Sequence, residues 1–155
     1  MAVFIHNSLS RKKEEFIPID GKIVRMYTCG VTVYDQCHIG HARSLYVFDV
    51  IRRYLKFRGY DVRFVRNITD VDDKIIAKAL ETQKTSQQVS EEQIALYYED
   101  MKLLGIQSGD AEPRATQDIP DMVKHIQGLV DKGYAYPMDG DVYFNVRAFK
   151  DYGKL

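Results

Sequence analysis

The sequence lacks any long apolar run. No stretch of its 155 residues approaches the roughly 20 apolar positions needed to cross a bilayer, and the start, Met1-Ala2-Val3-Phe4-Ile5-His6-Asn7-Ser8, has no signal-peptide core. The expectation is a cytoplasmic protein with no membrane partner. Cysteine is scarce: Cys29 and Cys37 lie eight apart in one short segment, and two thiols in a chain without an export signal do not make a disulfide framework. An excess of either charge is also missing, because 22 Lys and Arg balance 22 Asp and Glu. A globally basic nucleic-acid binder is thereby excluded, and any RNA contact has to come from a local patch or from another segment. Internal repeats, low-complexity tracts and heptads are absent as well.

What is present is enough to build one core, with 45% hydrophobic residues including 11 Tyr and 7 Phe. Ile23-Val24-Arg25-Met26-Tyr27-Thr28-Cys29 is β-branched and aromatic and stops at Gly30, as a buried strand does. From His41 to Arg58 the positions Ala42, Leu45, Phe48, Val50, Ile51, Tyr54 and Leu55 recur at helical spacing, and Gly59 follows as a cap. Asp61-Val62-Arg63-Phe64-Val65-Arg66 reads as a second strand. The helix after it is expected to carry Asp72 and Asp73 in its first turn. Strand, helix, strand, helix implies a parallel sheet, so the fold class is α/β.

Ser90-Glu91-Glu92-Gln93 has the form of a capping box and is expected to open a helix running to Leu104, leaving the stretch from Glu81 to Gln88 as a polar connector. A further helix is expected from near Thr116, with Pro120 in its first turn, to Gly133. Residues 134–146 read as a hairpin around Asp139-Gly140. An antiparallel hairpin after parallel units suggests an insert, which places a boundary between 1–115 and 116–155.

Chemistry concentrates between the first strand and the first helix, in Cys29-Gly30-Val31-Thr32-Val33-Tyr34-Asp35-Gln36-Cys37-His38-Ile39-Gly40-His41. In open α/β sheets ligands bind there, because free backbone N–H groups and the helix dipole face an anion. His38 and His41 are three apart, so both project to one side and can donate hydrogen bonds to a phosphate. Gly40 has no Cβ and leaves room for a flat base. The role these residues suit is stabilisation of charge on an α-phosphate. The competing reading is two surface histidines near a cap.

His38-Ile39-Gly40-His41 is the four-residue signature of class I aminoacyl-tRNA synthetases. With Tyr27-Thr28-Cys29-Gly30, Phe48-Asp49-Val50-Ile51-Arg52-Arg53-Tyr54-Leu55, Arg66-Asn67-Ile68-Thr69-Asp70-Val71-Asp72-Asp73-Lys74-Ile75-Ile76 and Glu112-Pro113-Arg114-Ala115-Thr116, the chain resembles cysteinyl-tRNA synthetase along nearly its whole length. The resemblance implies the N-terminal half of a Rossmann-like nucleotide-binding fold (1–115) leading into a connective insertion (116–155). It implies activation of cysteine with ATP, with magnesium, to cysteinyl-adenylate, and transfer to tRNA(Cys) through a full-length enzyme. It makes His38 and His41 catalytic, places ATP on His38, Ile39, Gly40 and His41, sets Gly30 and Thr69 beside the substrate, and makes Cys29 a zinc ligand. Zinc favours sulfur and would separate cysteine from serine.

Read without the resemblance, Cys29 is core packing and Thr69 a helix N-cap. Cys37 is read as structural, and Asp70, Asp72 and Asp73 as first-turn acids. Arg43, Arg52, Arg53, Lys56, Arg58, Arg63 and Arg66 are read as a solvated face. The other zinc ligands, the lysine loop of class I enzymes and the anticodon-reading region have no counterpart here. The chain is therefore expected to be a fragment, too short to hold the whole active site, with a parallel half-sheet edge left unpaired. Two alternatives stay open: a ligase joining cysteine to an amino sugar, and a non-catalytic module binding ATP and zinc.

Overall fold

The computed structural model describes residues 2–154. Its elements run β1 Phe4–Asn7, β2 Lys12–Glu15, β3 Ile23–Thr28, α1 Ile39–Phe57, β4 Asp61–Arg66, α2 Asp73–Thr82, α3 Ser86–Leu103, α4 Ile119–Asp131, β5 Ala135–Met138 and β6 Asp141–Phe144. They form a mixed α/β fold of two compact units. One is Pro18–Gln117; the other joins the segment up to Ile17 with the segment from Asp118 onward.

In the first unit β3 and β4 pair in parallel, from Ile23 opposite Asp61 to Thr28 opposite Arg66, as the two expected strands joined by a helix require. Pairing continues past the strand ends. Thr69 N donates to Val31 O at 3.1 Å and Val33 N to Thr69 O at 3.2 Å. The other edge of β4 is covered too: Asp110 N donates to Phe64 O, Arg66 N to Ala111 O, Ile68 N to Pro113 O and Ala115 N to Ile68 O, at 2.7 to 3.1 Å. Residues 110–115 thus lie along β4 as a third parallel line of backbone.

Buried arginines hold that segment in place. Arg52, 4% exposed, donates to Ser108 O and to Asp110 Oδ1, both at 2.6 Å, while Asp110 Oδ2 accepts from Phe64 N at 2.6 Å. Arg66, 2% exposed, donates to Glu112 Oε1 at 2.7 Å; Glu112 also accepts from Gly109 N and from the Tyr98 hydroxyl. Both guanidinium groups rest over the Phe64 ring, at 5.3 and 5.7 Å. Arg53 pairs with buried Asp49 at 2.6 Å and donates to Gly105 O. The expected solvated basic face therefore does not hold for Arg52 and Arg66, while Arg53 stays exposed as expected. Each of the two buried guanidinium groups finds a carboxylate and an aromatic face, which offsets the cost of leaving water.

The inward stripe of α1 is consequently mixed. Leu45, Asp49, Arg52 and Leu55 are buried, whereas Val50 and Tyr54, expected inward, are exposed. The apolar core gathers Val31, Val33, Leu45 and Ile68 with Ile75 and Ala79 of α2 and Val89, Ile94, Tyr97 and Met101 of α3. Helix α3 opens five residues earlier than Ser90: Thr85 and Gln88 form the capping box, and Ser90 lies buried inside the helix with its hydroxyl donating to Gln87 O. The connector shrinks accordingly to the residues around Gln83, which takes a left-handed φ of 55° to end α2.

The second unit contains the antiparallel pair β1–β2, which the sequence pattern did not announce, then α4 with a proline in its first turn. The β5–β6 hairpin turns on Asp139 and Gly140, with φ of 53° and 92°, the signs a two-residue primed turn demands. Among the described residues no helix is long and apolar enough to cross a membrane.

Candidate functional site

Two groups of side chains stand at the carboxyl ends of β3 and β4. The first is built around Asn67. Its Oδ1 accepts from Gly30 N and from the Tyr27 hydroxyl, each at 2.9 Å, and its Nδ2 donates to Thr69 Oγ1 at 3.1 Å. Gly30 packs directly against it: a Cβ at residue 30 would lie 1.6 Å from the Asn67 carbonyl oxygen. One asparagine therefore ties the Cys29–Gly30 end of β3 to the Thr69 end of β4. Thr69 is not a helix cap; Asp72 caps α2 by accepting from Lys74 N.

Asp70 does not belong to the helix either. It is buried and accepts from Thr116 N at 2.9 Å and from Thr116 Oγ1 at 2.5 Å, so it anchors the segment before α4. Of the three acids read as first-turn residues, only Asp73 is one.

The second group is the start of α1. His38 is the N-cap: its extended backbone presents Nδ1 to Gly40 N, which donates at 3.0 Å. With Nδ1 accepting, the neutral ring carries its proton on Nε2, a donor left for a ligand. His41, one turn on, stacks on His38 with ring centroids 3.8 Å apart and planes at 25°. Its Nδ1 is buried and has no hydrogen-bond partner among the described residues. Burial, then the neighbouring His38 and Lys74, hold the His41 imidazole below its ordinary pKa, which keeps it neutral near pH 7. Gly40 has a definite job: a Cβ there would sit 2.8 Å from His38 Cε1, so the imidazole folds over the helix start only because residue 40 is glycine. The His38 ring lies against Gly40 on the side a Cβ would take. Ile39 is exposed.

Helix α1 carries no acid in its own first turn, so its dipole there is not offset from within the helix. Beside it an apolar cleft of about 280 Å³ opens between Cys37, His38 and Ile39 and the last turn of α3, at Met101 and Leu104. Cys37 packs against the core from this cleft, and burial pushes its thiol pKa up.

Cys29 is an exposed free thiol just beyond β3, its sulfur 3.5 Å from Gly30 O. Among the described residues no three His, Cys, Asp or Glu gather into a set that could hold a metal. A thiol is a soft donor of the kind zinc favours, and among the described residues Cys29 has no companion ligands.

Sequence reading did not single out Asn67, which ties the two strand ends together. The available signal was an asparagine directly after a strand, where its amide bonds to nearby backbone.

The family model described as the tRNA synthetases class I (C) catalytic domain matches residues 15–155. A cysteine-tRNA ligase of Maridesulfovibrio salexigens is 55% identical over 152 residues, covering 97% of this chain and 31% of its own length. That of Aquifex aeolicus is 55% identical over 155 residues, covering 100% of this chain and 31% of its own length. This chain thus spans about a third of the length of the curated relatives it matches. Among solved structures, Mycobacterium tuberculosis methionyl-tRNA synthetase in complex with methionyl-adenylate superposes with a TM-score of 0.63 at 17% identity, covering 79% of this chain and 29% of that one, a likeness of fold. The chain belongs to the family of the class I (C) tRNA synthetase catalytic domain.

Proposed function

We propose that this chain is the ATP- and amino-acid-binding part of a cysteine-tRNA ligase, which forms cysteinyl-adenylate from cysteine and ATP and passes cysteine to tRNA(Cys). The observation that carries the reading is the stacked His38–His41 pair at the start of α1, beside two parallel strand ends, in a chain 55% identical throughout to cysteine-tRNA ligases. Residues 1–115 then form the first half of a Rossmann-like nucleotide-binding domain, and 116–155 begin a connective insertion. A cytoplasmic location goes with that role.

In the reaction the cysteine carboxylate attacks the α-phosphorus of ATP, pyrophosphate leaves, and negative charge grows on the phosphate oxygens. His38 Nε2–H, an N–H of His41 and the first-turn amides of α1 are donors already in place for that charge, so little reorganisation accompanies the step. Magnesium would accompany the triphosphate. Gly30 and Thr69, locked together by Asn67, form the wall facing the amino acid. Cys29 is one zinc ligand in this reading, the others coming from residues outside this chain, and zinc bound there would favour a thiol over a hydroxyl.

The test is cysteine-dependent ATP–pyrophosphate exchange by the native polypeptide that carries these residues. His41→Ala should slow it by about a hundredfold, as loss of a charge-stabilising donor does, with zinc content unchanged. Exchange at the wild-type rate refutes the role. The names of the relatives favour tRNA over an amino sugar as acceptor, and supplying each in turn decides between them.

A further inference from the structure

We infer that Lys74 is a third phosphate-contacting residue of the nucleotide site, alongside His38 and His41; the inference rests on the nucleotide reading above. Lys74 is the second residue of α2. A cation there opposes the helix dipole, so its placement calls for another reason. Of its acidic neighbours, Asp72 caps the Lys74 backbone N–H, Asp70 is buried against Thr116 and Asp35 pairs with Lys78, while Asp73, the first-turn acid of α2, forms no ion pair with it among the described residues. Among the described residues Lys74 forms no ion pair. Its ammonium instead rests over the Tyr34 ring at 5.2 Å, and Tyr34 is itself held by packing on the core.

That perch belongs to the same locale as the histidines. Tyr34 and His38 lie four apart in the loop between β3 and α1, and the Lys74 charge is felt at His41. An ammonium without an ion pair among the described residues, two ring donors and a helix start with no acid in its first turn all follow the carboxyl ends of the parallel strands β3 and β4, where a triphosphate would lie. Lysine fits this duty because its ammonium is a point charge on a flexible stem, able to follow a phosphate as it moves.

The experiment measures binding of ATP and of adenosine to the 155-residue chain by calorimetry, with Lys74→Gln and Lys74→Arg as variants. Lys74→Gln should weaken ATP binding by about tenfold and leave adenosine binding unchanged, the loss expected for one charge-assisted contact. Lys74→Arg should retain most of the ATP affinity. Equal ATP affinity in wild type and Lys74→Gln overturns the inference while the nucleotide site stands. Parallel loss of ATP and adenosine also overturns it, because the defect is then one of folding or base binding. A wild-type chain that binds neither ligand overturns the nucleotide reading for this chain, and the role of Lys74 with it.

Discussion

The Asn67 carbonyl oxygen occupies the place a Cβ on residue 30 would need, with 1.6 Å between them. No rotamer change relieves that overlap, because a Cβ is fixed by its own backbone and the oxygen it meets is backbone too. Gly30→Ala must push the end of β3 away from β4, breaking the Gly30 N–H bond to Asn67 Oδ1. We predict a stability loss of about 3 kcal/mol by urea denaturation, typical of an unrelieved overpacking.

Gly40 is the contrasting case. A Cβ there meets only the His38 imidazole, which can swing away. The variant Gly40→Ala gains about 1 kcal/mol of helix propensity and loses about 1 kcal/mol of capping, so its stability should stay near wild type. The expected change is in the site: the 3.8 Å ring stack of His38 on His41 should open. Histidine ring resonances in NMR would report it, and rings still stacked in the variant would contradict the role given to Gly40.

The pair Arg66–Glu112 should behave as a buried ion pair. Arg66→Met strands a carboxylate that is only 10% exposed, and should cost about 3–5 kcal/mol. The surface pair Lys84–Glu92, at 2.6 Å but about half exposed, should cost under about 1 kcal/mol when Lys84 becomes Met. Parallel chemical denaturation of the two variants checks the difference, and similar losses would show that Arg66 is not load-carrying for the segment 110–115.

Those arginines mark where sequence reading ran out. The strands 23–28 and 61–66 were legible because each is a β-branched and aromatic run bounded by turn residues, and α1 because Gly59 ends an apolar periodicity. Two capping-box patterns five residues apart, Thr85 with Gln88 and Ser90 with Gln93, are equivalent locally, and only the burial of Ser90 in the core decides between them. Residues 110–115 have no strand pattern and include Pro113; what puts them beside β4 is Arg52 and Arg66, more than 40 positions away. Such long-range pairing leaves no local signal. At the site, the His38–His41 spacing was readable, but that His38 itself caps the helix was not, since histidine is outside the usual N-cap set.

Stability should fall with acid in two windows. His41 is held below its ordinary value of 6.5, first by burial, so the unfolded chain binds its proton more readily and stability declines as pH drops from about 6.5 through the lowered value. Asp110 is held below its ordinary 3.8, chiefly by the hydrogen bond from Phe64 N and then by Arg52. Its contribution is complete above about 3.8 and is lost as pH falls through the lowered value. Thermal melts between pH 3 and 7 should show both declines; Asp110→Asn should flatten only the lower one and His41→Gln only the upper.

The two thiols should separate in reactivity. Cys29 is exposed, whereas Cys37 is partly buried, its pKa raised first by that burial and further by the Asp100 carboxylate. Alkylation needs the thiolate, so at mildly alkaline pH iodoacetamide should label Cys29 well before Cys37. Asp100→Asn removes the repulsive charge and should speed labelling of Cys37 by a few-fold, while Cys29, outside the cleft that Asp100 lines, keeps its rate. Peptide mass mapping over a time course reads both sites in one sample. Faster labelling of both thiols would mean that the substitution had loosened the fold, and no change at Cys37 would mean that burial alone sets its reactivity.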